Sequence, residues 1–81
     1  MTLEEIIKKT KLFLSEEFEV DPKEIKPENN LHKTLDLDSL DYVDLVVVIE
    51  ENFGIKVTAE DFQEIQTFHD FYAFVMKKKG K

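Results

Sequence analysis

The segment D-S-L-D-Y-V-D-L-V-V-V-I-E-E-N-F-G, residues 38 to 54, decides the fold. Its centre, Val46-Val47-Val48-Ile49, has the β-branched composition of a strand. Two observations favour a helix instead. No other part of the chain reads as a strong strand to pair with it, and Asp38 to Phe53 is too long for one strand. The ends also carry helix punctuation. Asp38 or Ser39 can cap the first turn, Asp41 suits the positive end of the helix dipole, and Gly54 is the expected C-cap. A helix is therefore predicted from near Ser39 to near Gly54.

At about 100° per residue, this helix has two apolar faces. Tyr42, Leu45, Val46, Ile49 and Phe53 share one side; Leu40, Val43 and Val47 share the other. Asp44 and Glu51 lie on that second side, and Asp41 flanks it. A helix in a small bundle needs one buried face. The second stripe, edged with carboxylates, reads as a docking surface. The competing arrangement buries the helix all round, with the preceding loop over Leu40 and Val43. It would leave Asp44 and Glu51 buried without partners, which is costly.

The remaining elements follow from spacing. Leu3, Ile6, Ile7, Thr10, Phe13, Leu14 and Phe18 repeat at helical intervals, and Thr2 with Glu5 forms a capping-box pattern, so a first helix is predicted over 3–18. Asp21-Pro22-Lys23-Glu24 predicts a single helical turn. Residues 26 to 37 read as loop, with Pro27 and Asn29-Asn30 as breakers and Leu31 and Leu35 pegged to the core. A connection this long is uncommon in a compact domain and often functional. Thr58 with Asp61 and Thr67 with Asp70 repeat the capping box, which predicts a short third helix over 59–65 and a fourth over 68–78. The class is all-α, with residues 1–81 as one domain and no internal repeat or linker.

The charge is concentrated. The net charge is −7, all 11 basic residues are lysine, and four of them lie in the terminal K-K-K-G-K. Between Leu35 and Glu64 there are nine carboxylates and one lysine, Lys56. Such a field repels nucleic acid and anionic lipid and attracts basic protein surfaces. The chain has no cysteine, which excludes disulfides, thiolate zinc sites and a cysteine nucleophile. No apolar run reaches membrane-spanning length and no signal-peptide pattern opens the chain, so a cytoplasmic protein is expected, with no membrane insertion.

Ser39 sits among Asp36, Asp38, Asp41 and Asp44. A nucleophilic role needs a base, but His32 and His69 lie in no catalytic motif and the acids oppose an alkoxide. The two histidines read as loop surface and first-turn helix surface. An EF-hand counted from Asp36 fails, with Asp41 at the glycine position and Val47 at the glutamate position, and no metal site is expected. Helix capping explains an Asp or Ser here, but neither the long loop before it nor the acid-edged stripe after it. The remaining role is attachment: another enzyme modifies an exposed hydroxyl at a helix start, where N–H groups suit a phosphodiester.

Asp38-Ser39-Leu40-Asp41, then Val43-Asp44-Leu45, then Ile49-Glu50-Glu51-Asn52-Phe53-Gly54-Ile55, resembles the acyl carrier proteins over almost the whole chain. The resemblance implies a four-helix bundle of three main helices and a short third, with a long loop between helices one and two. It implies a non-catalytic carrier, with no catalytic residues. Ser39 would receive 4′-phosphopantetheine from coenzyme A by the action of a phosphopantetheinyl transferase. The arm's thiol would hold acyl groups as thioesters for fatty-acid or related lipid or polyketide biosynthesis, which accounts for a carrier without cysteine. Asp38, Leu40, Asp41, Val43, Asp44, Val47, Glu50 and Glu51 would dock partner enzymes with basic patches: synthases, reductases, dehydratases and acyltransferases. A monomer suits a shuttle of this kind.

Two departures stand out. Fatty-acid carriers usually read D-L-G-x-D-S-L, whereas this chain has Thr34 at the first position and Asp36 at the glycine. A different turn into the second helix is therefore expected. The fourth helix is also rich in rings, with Phe68, Phe71, Tyr72 and Phe74; these read first as ordinary core, with a shorter or reshaped space between helices as the alternative. Both features keep a specialised carrier in play. The rival from another class is an unmodified acidic helical adaptor docking through the same stripe.

Overall fold

Each long helix begins where a side chain satisfies N–H groups that have no partner within the helix. In the computed structural model, which describes residues 2–79, α1 spans Leu3–Phe18, α2 Leu31–Leu35, α3 Ser39–Phe53 and α4 Phe68–Lys79. Short 3-10 turns lie at Pro22–Glu24 and Ala59–Gln63. Thr2 and Glu5 form the expected capping box on α1. At α4, the Asp70 carboxylate accepts the N–H groups of Thr67 and Gln66, each at 3.2 Å. Those backbone bonds, Thr67's first, hold its carboxyl below the ordinary carboxylate value. The described residues contain one isolated β-bridge, between Asn30 and Thr67, and no named strand.

Two expectations are revised. Residues 26 to 37 are not all loop, since Leu31–Leu35 is helical. Asn30, read as a breaker, is its N-cap, accepting the Lys33 N–H at 3.0 Å. Leu31 and Leu35, four apart, point the same way and are both buried. The predicted third helix is a 3-10 helix ending at Gln63. At the turn into α3, Asp36 stands where the family pattern has glycine. Asp36 adopts the left-handed conformation itself, with φ 52° and ψ 53°, as the C-cap of α2. Aspartate is one of the few side chains that visits this region, at a cost of order 1–3 kcal/mol. Asp36→Gly should therefore stabilise the fold by about 1 kcal/mol, after glycine's own entropy is subtracted, as read by urea unfolding.

The core gathers the inward faces of all four helices. Ile6, Phe13, Leu45, Ile49, Phe53, Phe62, Phe68, Phe71 and Val75 are all at most 5% exposed. Phe53 holds the centre, with ring centroids 5.6 Å from Phe13 and 6.4 Å from Phe71. The C-terminus of α3 has no basic residue of its own in the last turn. Lys9 from α1 and Lys79 from α4 supply the charge, donating to the carbonyls of Asn52 at 2.8 Å and Phe53 at 2.9 Å. The start of α2 is tied to the start of α4 by Leu31 N–H to Gln66 O at 2.8 Å and Phe68 N–H to Asn29 O at 3.2 Å.

One core group is unsatisfied. The Tyr72 hydroxyl is buried with no hydrogen-bond partner among the described residues. Burial pushes its phenol up to about 12. Because the folded value lies above the unfolded one, about 10, stability is undiminished below that pH and falls as pH climbs towards the folded value. Tyr72→Phe should raise stability by about 1 kcal/mol at neutral pH and flatten the alkaline loss between pH 10 and 12. Thermal melts across that range check both effects.

Candidate functional site

The site is the start of α3. The Asp38 carboxylate accepts the N–H groups of Leu40 at 3.0 Å and Asp41 at 3.1 Å, and Asp41 reaches back to the Asp38 N–H at 3.1 Å. This reciprocal box settles which residue caps the helix. Ser39 is the first helical residue, and its exposed hydroxyl takes no part in the box. An exposed alcohol therefore stands at the positive end of a helix whose capping is already complete.

Ser39 borders a cleft of about 580 Å³ between α3 and the Ala59–Gln63 turn. Leu37, Ala59 and Phe62 give it apolar surface, and Gln63 and Gln66 give it amides. A hydroxyl at a helix N-terminus beside a cleft of mixed polarity fits a phosphate ester with an amide-bearing arm: the helix end suits the phosphate and the amides suit the arm.

The outer stripe is uncovered. Leu40 is 76% exposed, Val43 61% and Val47 48%. Asp38, Asp44, Glu50 and Glu51 are exposed around them. The all-round burial considered above is not what the chain adopts. Asp41 differs from the rest of the stripe, being half-buried and holding the box.

His32 corrects a sequence expectation. It is not loop surface. It lies in α2, half-buried, with Nδ1 against the Tyr42 hydroxyl and Nε2 against the Ile65 carbonyl at 2.6 Å. The partners lie 10 and 33 residues away in sequence, so no local pattern announces the pair. His69 is exposed in the first turn of α4, as expected.

The model for phosphopantetheine attachment sites matches residues 11–75. The chain is 42% identical to the acyl carrier protein of Thermotoga maritima over 77 residues, covering 95% of each chain. The chain belongs to the acyl carrier protein family. It is 39% identical to the acyl carrier protein of Prochlorococcus marinus over 80 residues, covering 99% of this chain and all of the relative. It is 33% identical to that of Thermosynechococcus vestitus over 78 residues, covering 96% of each. As a member, the chain is a carrier and not a catalyst, and its prosthetic group is covalently bound 4′-phosphopantetheine. The fold described above is that of a carrier's helical bundle. Among the described residues, no helix is long and apolar enough to cross a membrane.

Proposed function

We propose that Ser39 is the residue that carries the phosphopantetheine arm, and that the chain shuttles acyl intermediates among the enzymes of fatty-acid or a related lipid or polyketide biosynthesis. One observation carries the assignment. Ser39 is the exposed hydroxyl at the start of α3 that capping leaves unused, and it opens on the cleft. The arm supplies a thiol on which an acyl group is held as a thioester. The protein's own part is to present the hydroxyl, steady the helix end and offer a surface. Tethering raises the effective concentration of cargo at each partner's active site.

The stripe of Leu40, Val43 and Val47, with Asp38, Asp44, Glu50 and Glu51 around it, is the docking surface in this reading, and Asp41 supports it by holding the helix start. A phosphopantetheinyl transferase and acyl-processing enzymes would meet it with basic patches, giving fast, salt-sensitive and short-lived encounters. The same reading makes the chain a cytoplasmic monomer. The unmodified-adaptor alternative accounts for the stripe but not for family membership.

The test is intact mass after incubation with coenzyme A, Mg²⁺ and a broad-specificity phosphopantetheinyl transferase. A gain of one phosphopantetheine, mapped to the peptide containing Ser39, is expected. Attachment at another residue, or no gain from a folded protein with two unrelated transferases, would overturn the assignment.

A further inference from the structure

Two residues that line the cleft beside Ser39, His32 and Tyr42, are held together. A carbonyl can only accept, so the Ile65 oxygen requires a proton on His32 Nε2. In neutral histidine, Nδ1 then accepts from the Tyr42 hydroxyl. Burial raises the Tyr42 phenol above its ordinary value. The rings continue the line, with centroids 5.6 Å apart from His32 to Tyr42 and 5.9 Å from Tyr42 to Phe62. The relay thus joins α2, α3, the Ala59–Gln63 turn and the linker before α4. Tyr42 packs against the buried core, in which Leu35, Leu45 and Phe68 are all at most 5% exposed.

An apolar chain tethered at Ser39 gains by leaving water, and the core against which Tyr42 packs is apolar. Reaching it would break both relay bonds, leave the Ile65 carbonyl without its partner and separate packed rings. The cleft in front costs none of this. Leu37 and Ala59 offer apolar contact there, and Gln63 and Gln66 are exposed with amides to spare.

We infer that the Tyr42–His32–Ile65 relay keeps cargo out of the core, so that this carrier holds its acyl group in the surface cleft and favours short acyl groups bearing a hydrogen-bonding oxygen near the thioester. This rests on Ser39 as the attachment residue and names the cargo class that goes with it. Tyr42 and His32 are positioning residues for the cargo.

The experiment loads the full chain from butyryl-, 3-hydroxybutyryl- and octanoyl-coenzyme A with the transferase. Intact mass and peptide mapping come first; failure to load at Ser39 would overturn the attachment assignment and this inference with it. Amide chemical shifts and melting temperature are then read on the loaded proteins. In the parent, octanoyl should move the amides of Ala59, Gln63 and Gln66, leave those of Leu45 and Ile49 in place, and give no rise in melting temperature with chain length. The 3-hydroxybutyryl form should move the Gln63 and Gln66 side-chain amides more than butyryl does. In Tyr42→Ala, octanoyl should move Leu45 and Ile49, and melting temperature should rise with chain length. Tyr42→Phe, which keeps the ring and removes the bond, gives the same direction if the alanine variant does not fold. Octanoyl-dependent shifts at Leu45 and Ile49 in the parent, with a melting temperature that climbs with chain length, would overturn the inference. Equal responses to butyryl and 3-hydroxybutyryl would overturn its polar part.

Discussion

Ser39→Ala should take up no phosphopantetheine and melt within a degree or two of the parent, whereas Asp38→Ala should melt clearly lower and still be modified. The two neighbours do different work. Asp38 satisfies two N–H groups of the first turn of α3, at 3.0 and 3.1 Å. Removing such a cap costs about 0.5–2 kcal/mol. In a domain of this size that is a drop of roughly 4–8 °C for each kcal/mol. Ser39 caps nothing, so losing its hydroxyl removes chemistry without removing a bond of the fold. Asp38 also belongs to the proposed docking surface, so its variant should be modified more slowly, and the end-point mass is the fair comparison. A phosphopantetheine gain in Ser39→Ala would place the arm elsewhere. An Asp38→Ala protein as stable as the parent would deny the capping role.

Most of this arrangement is legible in the sequence because it is local. The capping boxes at Thr2, Thr67 and Asp38, the stop at Gly54 and the two faces of α3 all depend on residues within a few turns of one another. The motif around Ser39 lies within the same short range. What the sequence hides is the long-range or the ambiguous. Asn30 is equally a breaker and a cap until the burial of Leu31 and Leu35 decides. Asp36 looks like the loss of a glycine, and only the backbone shows that the aspartate itself takes a left-handed turn. Whether Asp38 or Ser39 caps α3 is a choice between two good acceptors, and only the geometry makes it. The His32 bridge and the lysines on the end of α3 join residues 10 to 43 apart, and nothing in their own neighbourhoods marks them.

Reversing two charges on the stripe, Asp44→Lys with Glu51→Lys, should slow association with a basic partner such as the transferase by about ten- to a hundred-fold at low salt. Both carboxylates are exposed beside Val43 and Val47, in the segment where nine carboxylates face a single lysine. The effect is one of steering, so it should appear in the association rate and shrink as salt is added. The screening length falls from about 10 Å at 0.1 M to about 3 Å at 1 M. Val43→Ser, which trims apolar contact without changing charge, should instead speed dissociation at any salt. Stability separates docking from damage. Glu51 lies in the last turn of α3, where a negative charge opposes the dipole and where Lys9 and Lys79 already serve the carbonyls. A lysine there is favourable by about 0.3–1 kcal/mol, and relief of the crowded acids adds to it. The double variant should therefore melt no lower than the parent while binding more slowly. Unchanged association kinetics in stopped-flow would remove Asp44 and Glu51 from the docking surface. A lower melting temperature would mean that these acids hold the fold rather than the partner.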